Sequence, residues 1–589
     1  MRRYPDNRPE LLAPGGSVEA IEAALANGAD AIYVGLGPLN ARARARNLTE
    51  AQFPGVADFA HACGARVHVA LNVPLRPDTV ADAARTLASA RFGGADAVIL
   101  RDPALMRASA DLFPDLPVHA STQAGVAGPT AARRMRDLGC ARVILAREMS
   151  RDEIAALVAE VPDVEAEVFV FGALCFAVSG MCLLGHAVSG RSGNHGACSQ
   201  ACRLPFTDAS GRDAGHPFSM KDLDLVPHVP ELARIGVASL KIEGRLKPPA
   251  WVGCVTRWIR RALDRDPPGL APAELAEFHR DVSVLFCRPR TAAFFEGRRD
   301  ASDLIDPDFP GHRGLDAGRF DAARTATGTR LRFRAPVALN VRDGLLLTVA
   351  AAAGARDFAP VSIPELRDRR GRTVFRLPAG ADVEVEVPEA RRVLAVAVHS
   401  SDAVRVEYER AGRLPPATAR GESPRPRFER IELHPGRLVA TLRLGRFTHE
   451  VATGVPAEPS RNEGFSPAMA ARLFGDAEAR IEPGLFVNPT DLKRVRRDFL
   501  AAFDAAYEAA ISEAASQVAD RLRADEASFL GSDDDLLSRG PAAVSRVTGF
   551  PHSEVRTAAG HRFEVASSAG GTRVQYVGGG NRWSGGDRE

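Results

Sequence analysis

The sequence predicts an α/β protein: a TIM-like (β/α)8 barrel with a cysteine-rich insertion, followed by a mainly β domain with a helical end. Residues 8–264 alternate short apolar runs with amphipathic segments, the pattern of parallel strands joined by crossover helices. The phrases NGADAIYVGL and GGADAVILRD repeat one helix end, turn and strand. Eight such units favour a closed barrel. An open doubly wound sheet remains the alternative.

Eight short apolar runs are the expected barrel strands, and the segments between them have helical periodicity. In the first of these segments Ser17 is expected to cap the helix and Gly28 to end it. The expected strands are Glu10–Ala13, Ala31–Gly35, Val67–Leu71, Ala97–Leu100, Pro117–Ser121, Arg142–Ala146, Glu167–Phe171 and Ala238–Ile242.

Polar side chains follow the expected strands at their carboxyl ends. In such a barrel, the active site lies at this end of the strands. In the last strand Lys241, Glu243 and Arg245 alternate with apolar residues, so they share one face and are expected to point into the barrel mouth. A structural ion pair explains any one of these charges, whereas the whole set indicates a catalytic or anion-binding site. The expected rim residues are His119, Gln123, Glu148, Lys241, Glu243 and Arg245.

Lysine is rare in this chain, because arginine supplies nearly all of the positive charge. The only lysines are Lys221, Lys241, Lys247 and Lys493. An ammonium group is compact and has an adjustable pKa, so a retained lysine points to a position where arginine does not serve. Coincidence explains four residues equally well, and both interpretations stay open.

Half of the eight cysteines lie within 28 residues of the insertion, with the spacing C-x6-C-x15-C-x3-C. Glycines crowd the intervals, which lets the backbone fold tightly around a centre. Metal binding is therefore expected at Cys175, Cys182, Cys198 and Cys202. On spacing alone, zinc and an iron–sulfur cluster stay open as the metal. The four scattered cysteines are expected to be ordinary buried residues: Cys63, Cys140, Cys254 and Cys287.

This segment and several other motifs resemble peptidase family U32, the collagenase-like proteins. The run Glu167-x-Phe169-x-x-Gly172-Ala173-Leu174-Cys175-x4-Gly180-x-Cys182 is similar to the family signature, which usually closes with Ser where this chain has Gly185. The opening PELLAPGGSVEAIEAALANGADAIYVGL also resembles the family, as do HASTQ at 119–123, GACSQACR at 196–203 and SLKIEGRLK at 239–247. The resemblance covers nearly all of residues 8–265.

The resemblance implies a chemistry that spacing alone leaves open. Better understood bacterial members depend on an iron–sulfur cluster and act on tRNA, 23S rRNA or a ubiquinone precursor. For this chain, that implies a [4Fe–4S] cluster on Cys175, Cys182, Cys198 and Cys202, and a prephenate-like oxygen donor. The family name implies proteolysis, but the sequence has no H-E-x-x-H zinc site, no G-x-S-x-G elbow and no clear Cys–His signature.

Composition divides the chain into four parts. Residues 1–265 are the expected barrel, with the cysteine-rich metal segment at 172–205, and residues 266–320 resemble a short family extension. Residues 321–525 have alternating patterns that predict a β-rich domain ending in a helix. Residues 526–589 are acidic, then rich in Gly and Ser, and are expected to form a disordered tail.

Two basic stretches are candidates for RNA contact. Residues 488–497 resemble an element of the long family members that hydroxylate a 23S rRNA cytidine, although a solvated helix face explains this charge equally well. After the second expected strand, a loop carries Arg42, Arg44 and Arg46, which are expected to contact phosphates.

The sequence and the resemblance together predict an iron–sulfur-dependent RNA hydroxylase that forms 5-hydroxycytidine in 23S rRNA. A small anionic co-substrate is expected at the rim, and the electron donor stays open. The alternatives are a U32-type peptidase and a non-catalytic iron–sulfur accessory protein of a hydroxylase complex. No signal peptide is apparent and no apolar run approaches the roughly 20 residues that span a bilayer, so a cytoplasmic location without a membrane partner is expected.

Overall fold

The structure is a computed structural model that describes residues 8–42, 45–178, 182–351, 355–389, 391–409, 425–459, 465–482, 484–524, 543–546, 553–557, 562–568 and 571–578. It confirms the predicted barrel. Eight parallel strands close into a ring, because the last strand pairs with both the seventh and the first. The barrel strands are β1 Glu10–Gly15, β2 Ala31–Gly35, β3 Arg66–Leu71, β4 Ala97–Leu100, β5 Val118–Ala120, β6 Cys140–Ile144, β7 Glu165–Ala173 and, after an insertion, β11 Ser239–Ile242.

Local signals set the limits of these elements. The Ser17 side chain accepts a hydrogen bond from the Ala20 N–H and begins the first helix, as predicted. Gly28 follows that helix with a φ of 92°, a left-handed conformation that glycine adopts without strain. The barrel helices are α1 Val18–Ala26, α2 Phe53–Ala62, α3 Val80–Gly93, α4 Pro103–Leu112, α5 Pro129–Asp137, α6 Arg151–Glu160, α8 Val229–Ile235 and α9 Pro249–Leu263.

The insertion between β7 and β11 contains a short helix and three short strands. Strand β10 runs antiparallel to β7 and extends the barrel sheet, to which β12 then adds. The elements of the insertion are α7 Leu184–Ser189, β8 Phe206–Asp208, β9 Asp213–Gly215 and β10 Asp222–Asp224. The extension after the barrel contains α10 Pro272–Leu285, β12 Arg290–Thr291 and α11 Ala301–Leu304.

A first β unit follows the extension and ends in a helix that returns to the barrel. The Tyr408 hydroxyl of that helix accepts a hydrogen bond from Trp258 Nε1 at 3.0 Å and donates one to Asp281 at 2.5 Å, which fastens the unit to α9 and α10. Its elements are β13 Leu315–Asp316, β14 Phe320–Arg324, β15 Thr329–Arg334, β16 Leu339–Asn340, β17 Gly344–Ala350, β18 Arg356–Ser362, β19 Leu366–Arg367, β20 Thr373–Val374, β21 Arg376–Leu377, β22 Asp382–Val387, β23 Val393–Ser400 and α12 Asp402–Glu409.

A second β unit has its own hydrophobic core, whereas the first β unit shares the core of the barrel, so the residues at 321–525 contribute to two cores. A long helix leaves this unit and packs on α3 and α4 of the barrel. The elements are β24 Arg427–His434, β25 Arg437–Leu444, β26 Phe447–Gly454, β27 Glu458–Pro459, α13 Pro467–Phe474, β28 Glu478–Ile481, β29 Leu485–Phe486 and α14 Pro489–Ala524.

The chain beyond α14 differs from the expected disordered tail where the structure describes it. Strand β31 pairs with β8 of the insertion, and Phe563 of β32 packs against Phe206 at 6.4 Å between ring centroids. These strands gain order from a distant partner, which the local composition does not reveal. They are β30 Ala543–Ser545, β31 Glu554–Thr557, β32 Arg562–Ser568 and β33 Gly571–Gly578.

No helix in the described part of the chain has the length and apolarity needed to cross a membrane.

Candidate functional site

A polar cavity opens at the carboxyl ends of the barrel strands. Four cationic side chains and one carboxylate line it, together with amide, hydroxyl and phenol groups. The excess of positive charge favours a small anionic ligand. The polar lining residues are Tyr33, Arg42, Asn72, Ser121, Thr122, Gln123, Arg147, Lys241, Glu243 and Arg245.

Lys241 holds its charge in an almost closed environment. Its ammonium lies 2.9 Å from Glu167 Oε1 and 4.3 Å from the Tyr33 ring centroid, and its side chain is 4% exposed. Burial lowers the pKa of Lys241, although the Glu167 carboxylate acts to raise it. Glu167 also accepts from Arg142, which donates to Glu10 at 2.7 Å, so Lys241 stands on a buried charge network.

Glu243 and Arg245 form the next layer towards solvent. Glu243 Oε1 lies 3.1 Å from Arg42 Nη2. Burial acts to raise the pKa of Glu243, but Arg42 and Arg147 hold that pKa below its usual value and keep the carboxylate charged. Arg245 donates to Asn40 Oδ1 at 2.7 Å, and burial lowers the pKa of Arg245 to about 10.

The structure brings four of the six predicted rim residues together. Gln123, Lys241, Glu243 and Arg245 all line the cavity. His119 lies deeper in the barrel, buried edge-to-face against His68 at 4.9 Å between ring centroids, and burial lowers the pKa of His119 well below its usual value. Its imidazole is therefore neutral and sits beneath the cavity without lining it.

Glu148 is also absent from the cavity lining. Its backbone carbonyl accepts from Arg546, and its carboxylate Oε2 is buried without a hydrogen-bond partner among the described residues. Burial raises the pKa of Glu148. The carboxyl group lies close enough to Cys175 to influence the pKa of that thiol, so it faces the cysteine segment.

The prediction missed Tyr33 and gave Arg42 a different role. Tyr33 is the aromatic residue of an otherwise aliphatic strand, and its hydroxyl donates to the Ile242 carbonyl at 2.9 Å. Arg42 was expected to contact phosphate but pairs with Glu243 in the cavity. Of its two companions, Arg44 lies outside the described residues.

The cysteine segment adjoins the cavity through a glycine. At Gly172, which has a φ of 118°, a Cβ atom would lie 2.3 Å from the Glu243 carbonyl oxygen, so only glycine allows this approach. Arg147 donates to the Ala173 carbonyl at 2.7 Å and Arg203 to the Leu174 carbonyl at 3.3 Å. Two arginines therefore hold the backbone that leads into Cys175.

The four grouped thiols interact with one another, and Cys198 is the most exposed of them. Burial raises the pKa of Cys182 well above its usual value and that of Cys202 to about 12, and the neighbouring thiols add to both shifts. Burial likewise raises the pKa of Cys175, with Cys198 contributing. Positive charge placed among these sulfurs would relieve the repulsion between thiolates.

The spacing of these thiols bears on which metal group they fit. Among the described residues, no three Cys, His, Asp or Glu side chains converge closely enough to hold one metal ion. A tetrahedral zinc ion needs its sulfurs about 2.3 Å from a single centre. A four-iron cluster instead attaches each thiolate to a different iron.

The scattered cysteines lie apart from this group. Cys140, Cys254 and Cys287 are buried, as expected. Cys63 is exposed after α2, so the expectation of burial is wrong there. It follows the last turn of that helix, which faces solvent.

Comparisons with known proteins place the similarity in the barrel. The profile of peptidase family U32 matches residues 16–304. The chain is 38% identical to the 23S rRNA 5-hydroxycytidine C2501 synthase of Escherichia coli K12, over 44% of this chain and 40% of that protein. It is 33% identical to the tRNA hydroxylation protein P1 of Bacillus subtilis, over 50% and 73%. It is 29% identical to a collagenase of Porphyromonas gingivalis, over 49% and 74%.

Proposed function

The chain belongs to peptidase family U32, and from that membership we propose that it is an RNA hydroxylase that forms 5-hydroxycytidine in 23S rRNA in the cytoplasm. Relatives named for hydroxylation of rRNA and tRNA support the reaction class. The aligned part spans less than half of the rRNA-modifying relative, so the target base is part of the proposal.

One observation carries this proposal: a cationic cavity lies directly beside the four grouped thiols. The close approach of Gly172 to Glu243 joins the two sites, and Arg147 contacts both of them. A redox group next to a small-ligand cavity is the arrangement that a hydroxylation requires. A peptidase has no need of it.

We propose that Cys175, Cys182, Cys198 and Cys202 hold a [4Fe–4S] cluster. The donor set fits, because the four cysteines lie together beside the charges of Arg42, Arg147 and Arg203. Such a cluster supplies one-electron transfer when bound. The arginines offset the negative charge of a thiolate-ligated centre.

The cavity residues are proposed to bind and orient a small anionic co-substrate. Arg42, Arg147 and Arg245 supply positive charge, and Gln123 supplies amide hydrogen bonds. Lys241 holds a proton at Nζ beside the cavity, where the network from Glu167 keeps its position. His119 supports this layer from below. A prephenate-like oxygen donor is proposed from the family resemblance alone.

Peptidase activity is the second candidate, favoured by the similarity to a collagenase. Within the described cavity, no serine or cysteine stands beside a histidine as a nucleophile would. Ser121 instead accepts from the Asn72 amide at 3.1 Å and the Gln123 N–H at 3.1 Å.

Mass spectrometry of rRNA nucleosides from cells with and without the gene tests the proposal. We expect hydroxycytidine to disappear in the deletion strain and to return with the wild-type gene. An unchanged nucleoside profile would overturn the proposal and favour the peptidase. If purified protein with an intact cluster bound no RNA and modified none, while the deletion still lost the modification, the accessory role would replace it.

A further inference from the structure

A second depression lies between the barrel and the first β unit. This groove has a volume of about 480 Å³ and lies where the start of α9 and the end of α10 meet β16, the end of β23 and the start of α12. Its walls include aromatic, cationic and amide side chains, chiefly Trp251, Asn340, Arg342 and Phe375. None of these residues takes part in the cavity at the barrel mouth.

The groove is flanked by the two most exposed large apolar side chains of the described chain. Phe375 at its rim is 74% exposed, and Leu246, two residues before the groove residue Pro248, is 54% exposed. The Val341 N–H donates to the Phe375 carbonyl at 3.0 Å, so the backbone that carries the phenyl ring is held in place. A fixed and solvent-facing aromatic ring marks a binding surface.

One charged group of the groove is available to a ligand, and an amide oxygen lies buried beside it. Arg342 forms no ion pair with any described residue, although its backbone is fixed at a φ of 77° by hydrogen bonds to Ile363 and Ser362. Asn340 Oδ1 is buried without a hydrogen-bond partner in the described part of the chain. The nearby Asp343 carboxylate is occupied, because it accepts from the Asn340 and Asp402 N–H groups.

The groove and the cavity share one wall. A Cβ atom at Gly244 would lie 2.5 Å from the Trp251 ring, so the ring packs directly under the loop that carries Glu243 and Arg245. Trp251 also lines the groove, and its Nε1 donates to the Phe286 carbonyl at 3.0 Å. The loop that carries Glu243 and Arg245 therefore separates the cavity from the groove.

We propose that the groove binds a nucleotide of single-stranded RNA beside the loop that separates the groove from the cavity. Phe375 stacks on the base, and Arg342 contacts a phosphate. An exposed aromatic ring beside an unpaired arginine is the usual way to hold single-stranded RNA, because the ring stacks on any base and the guanidinium pairs with the phosphate. This inference rests on the proposed function and adds the site that holds the flanking RNA.

Binding of an unstructured single-stranded RNA decamer to the full-length protein tests the inference. We expect Phe375→Ala to weaken binding about tenfold or more, the effect of losing one base stack. Arg342→Gly keeps the left-handed backbone and should lower the slope of log affinity against log salt by about one. Phe486→Ala, which removes an exposed phenylalanine of the second β unit, is the matched control and should bind as the wild type does.

Equal affinity of the Phe375→Ala and wild-type proteins overturns the inference. A photo-crosslinking residue in place of Phe375 distinguishes the class of partner in cells: a nuclease-sensitive adduct supports RNA, and an adduct with protein alone overturns it. Failure of the proposed function looks different, since hydroxycytidine would then be unaffected by deletion of the gene.

Discussion

Lys241 is the residue on which the chemistry of the cavity most depends. Its ammonium fits between Glu167 and the Tyr33 ring with almost no exposed surface. A guanidinium is larger and does not give up its proton, so it cannot replace an ammonium that binds an anion or transfers a proton. We predict that Lys241→Arg reduces hydroxycytidine in rRNA at least about tenfold in a complemented deletion strain, while cluster content is retained.

A matched control separates this effect from a general loss of lysine. Lys493→Arg changes an exposed lysine of α14 and should leave the modification at the wild-type level. Glu243→Gln should act like Lys241→Arg, because it removes the charge that pairs with Arg42. Full modification by Lys241→Arg would remove the role assigned to this residue.

Lys247 gives the protein a pH-dependent stability. Its ammonium lies against the Phe286 ring, and burial lowers the pKa of Lys247 from 10.5 to about 7. Below pH 7 the Lys247 side chain is charged in both the folded and the unfolded state. The folded state is then destabilised by the full cost of burying that charge. Between about pH 7 and 10.5 the unfolded chain binds more protons, so the stability contributed by this group rises with pH.

We therefore predict that Lys247→Met stabilises the protein at pH 7. The expected gain is on the order of 3 kcal/mol, which is less than the full pKa shift implies because the side chain is partly exposed. The variant should also lose this group's rise in stability between pH 7 and 10. Urea unfolding midpoints of the wild type and the variant at pH 6.5, 8 and 9.5 measure both effects. Parallel pH curves for the two proteins would contradict the prediction.

At the scale of elements, loss of one of the four grouped cysteines is expected to abolish metal binding by the whole cysteine segment. We predict that anaerobically purified protein is brown and contains about four irons per chain, and that Cys182→Ala abolishes this iron. Cys254→Ala removes a buried thiol of α9 and should leave the iron unchanged. Stoichiometric zinc without iron after anaerobic reconstitution would exclude the cluster.

The barrel elements were predictable because the local sequence of each one has a recognisable pattern. Strands such as β2 and β4 are continuous apolar runs buried on both faces, and Ser17 and Gly28 mark the ends of the helix between β1 and β2. The lining of the cavity was predictable only along single strands. Glu243 and Arg245 follow from alternation, whereas the pairing of Arg42 with Glu243 joins residues far apart in the chain.

The C-terminal strands were not predictable either, because they too depend on contacts between residues far apart in the chain. Strand β31 owes its order to β8, and its own sequence lies in a stretch rich in small and polar residues. Glu148 lies with Arg147 in the turn after β6 and does not line the cavity, which the position of a strand end alone does not reveal.

For the whole molecule, α14 connects two hydrophobic cores. Phe499 and Phe503 belong to the core of the second β unit, while Val518 and Leu522 belong to the core of the barrel and first β unit. We predict that Phe503→Ala destabilises the second core by about 3–5 kcal/mol. Hydrogen exchange read by mass spectrometry should then accelerate in residues 427–486 and change little in β1–β7. Uniform acceleration across the chain would show that the two cores unfold as one.

The pairing of β31 with β8 also sets an order of events during synthesis. Asp208 leaves the ribosome about 350 residues before Val555, its partner in that sheet. At about 5–20 residues per second, roughly 20 to 70 seconds pass between the two. For that interval β8 pairs only with β9 and lacks its second neighbour in the sheet. The nascent chain therefore passes through a period in which one edge of β8 is open and β31 is not yet available to cover it.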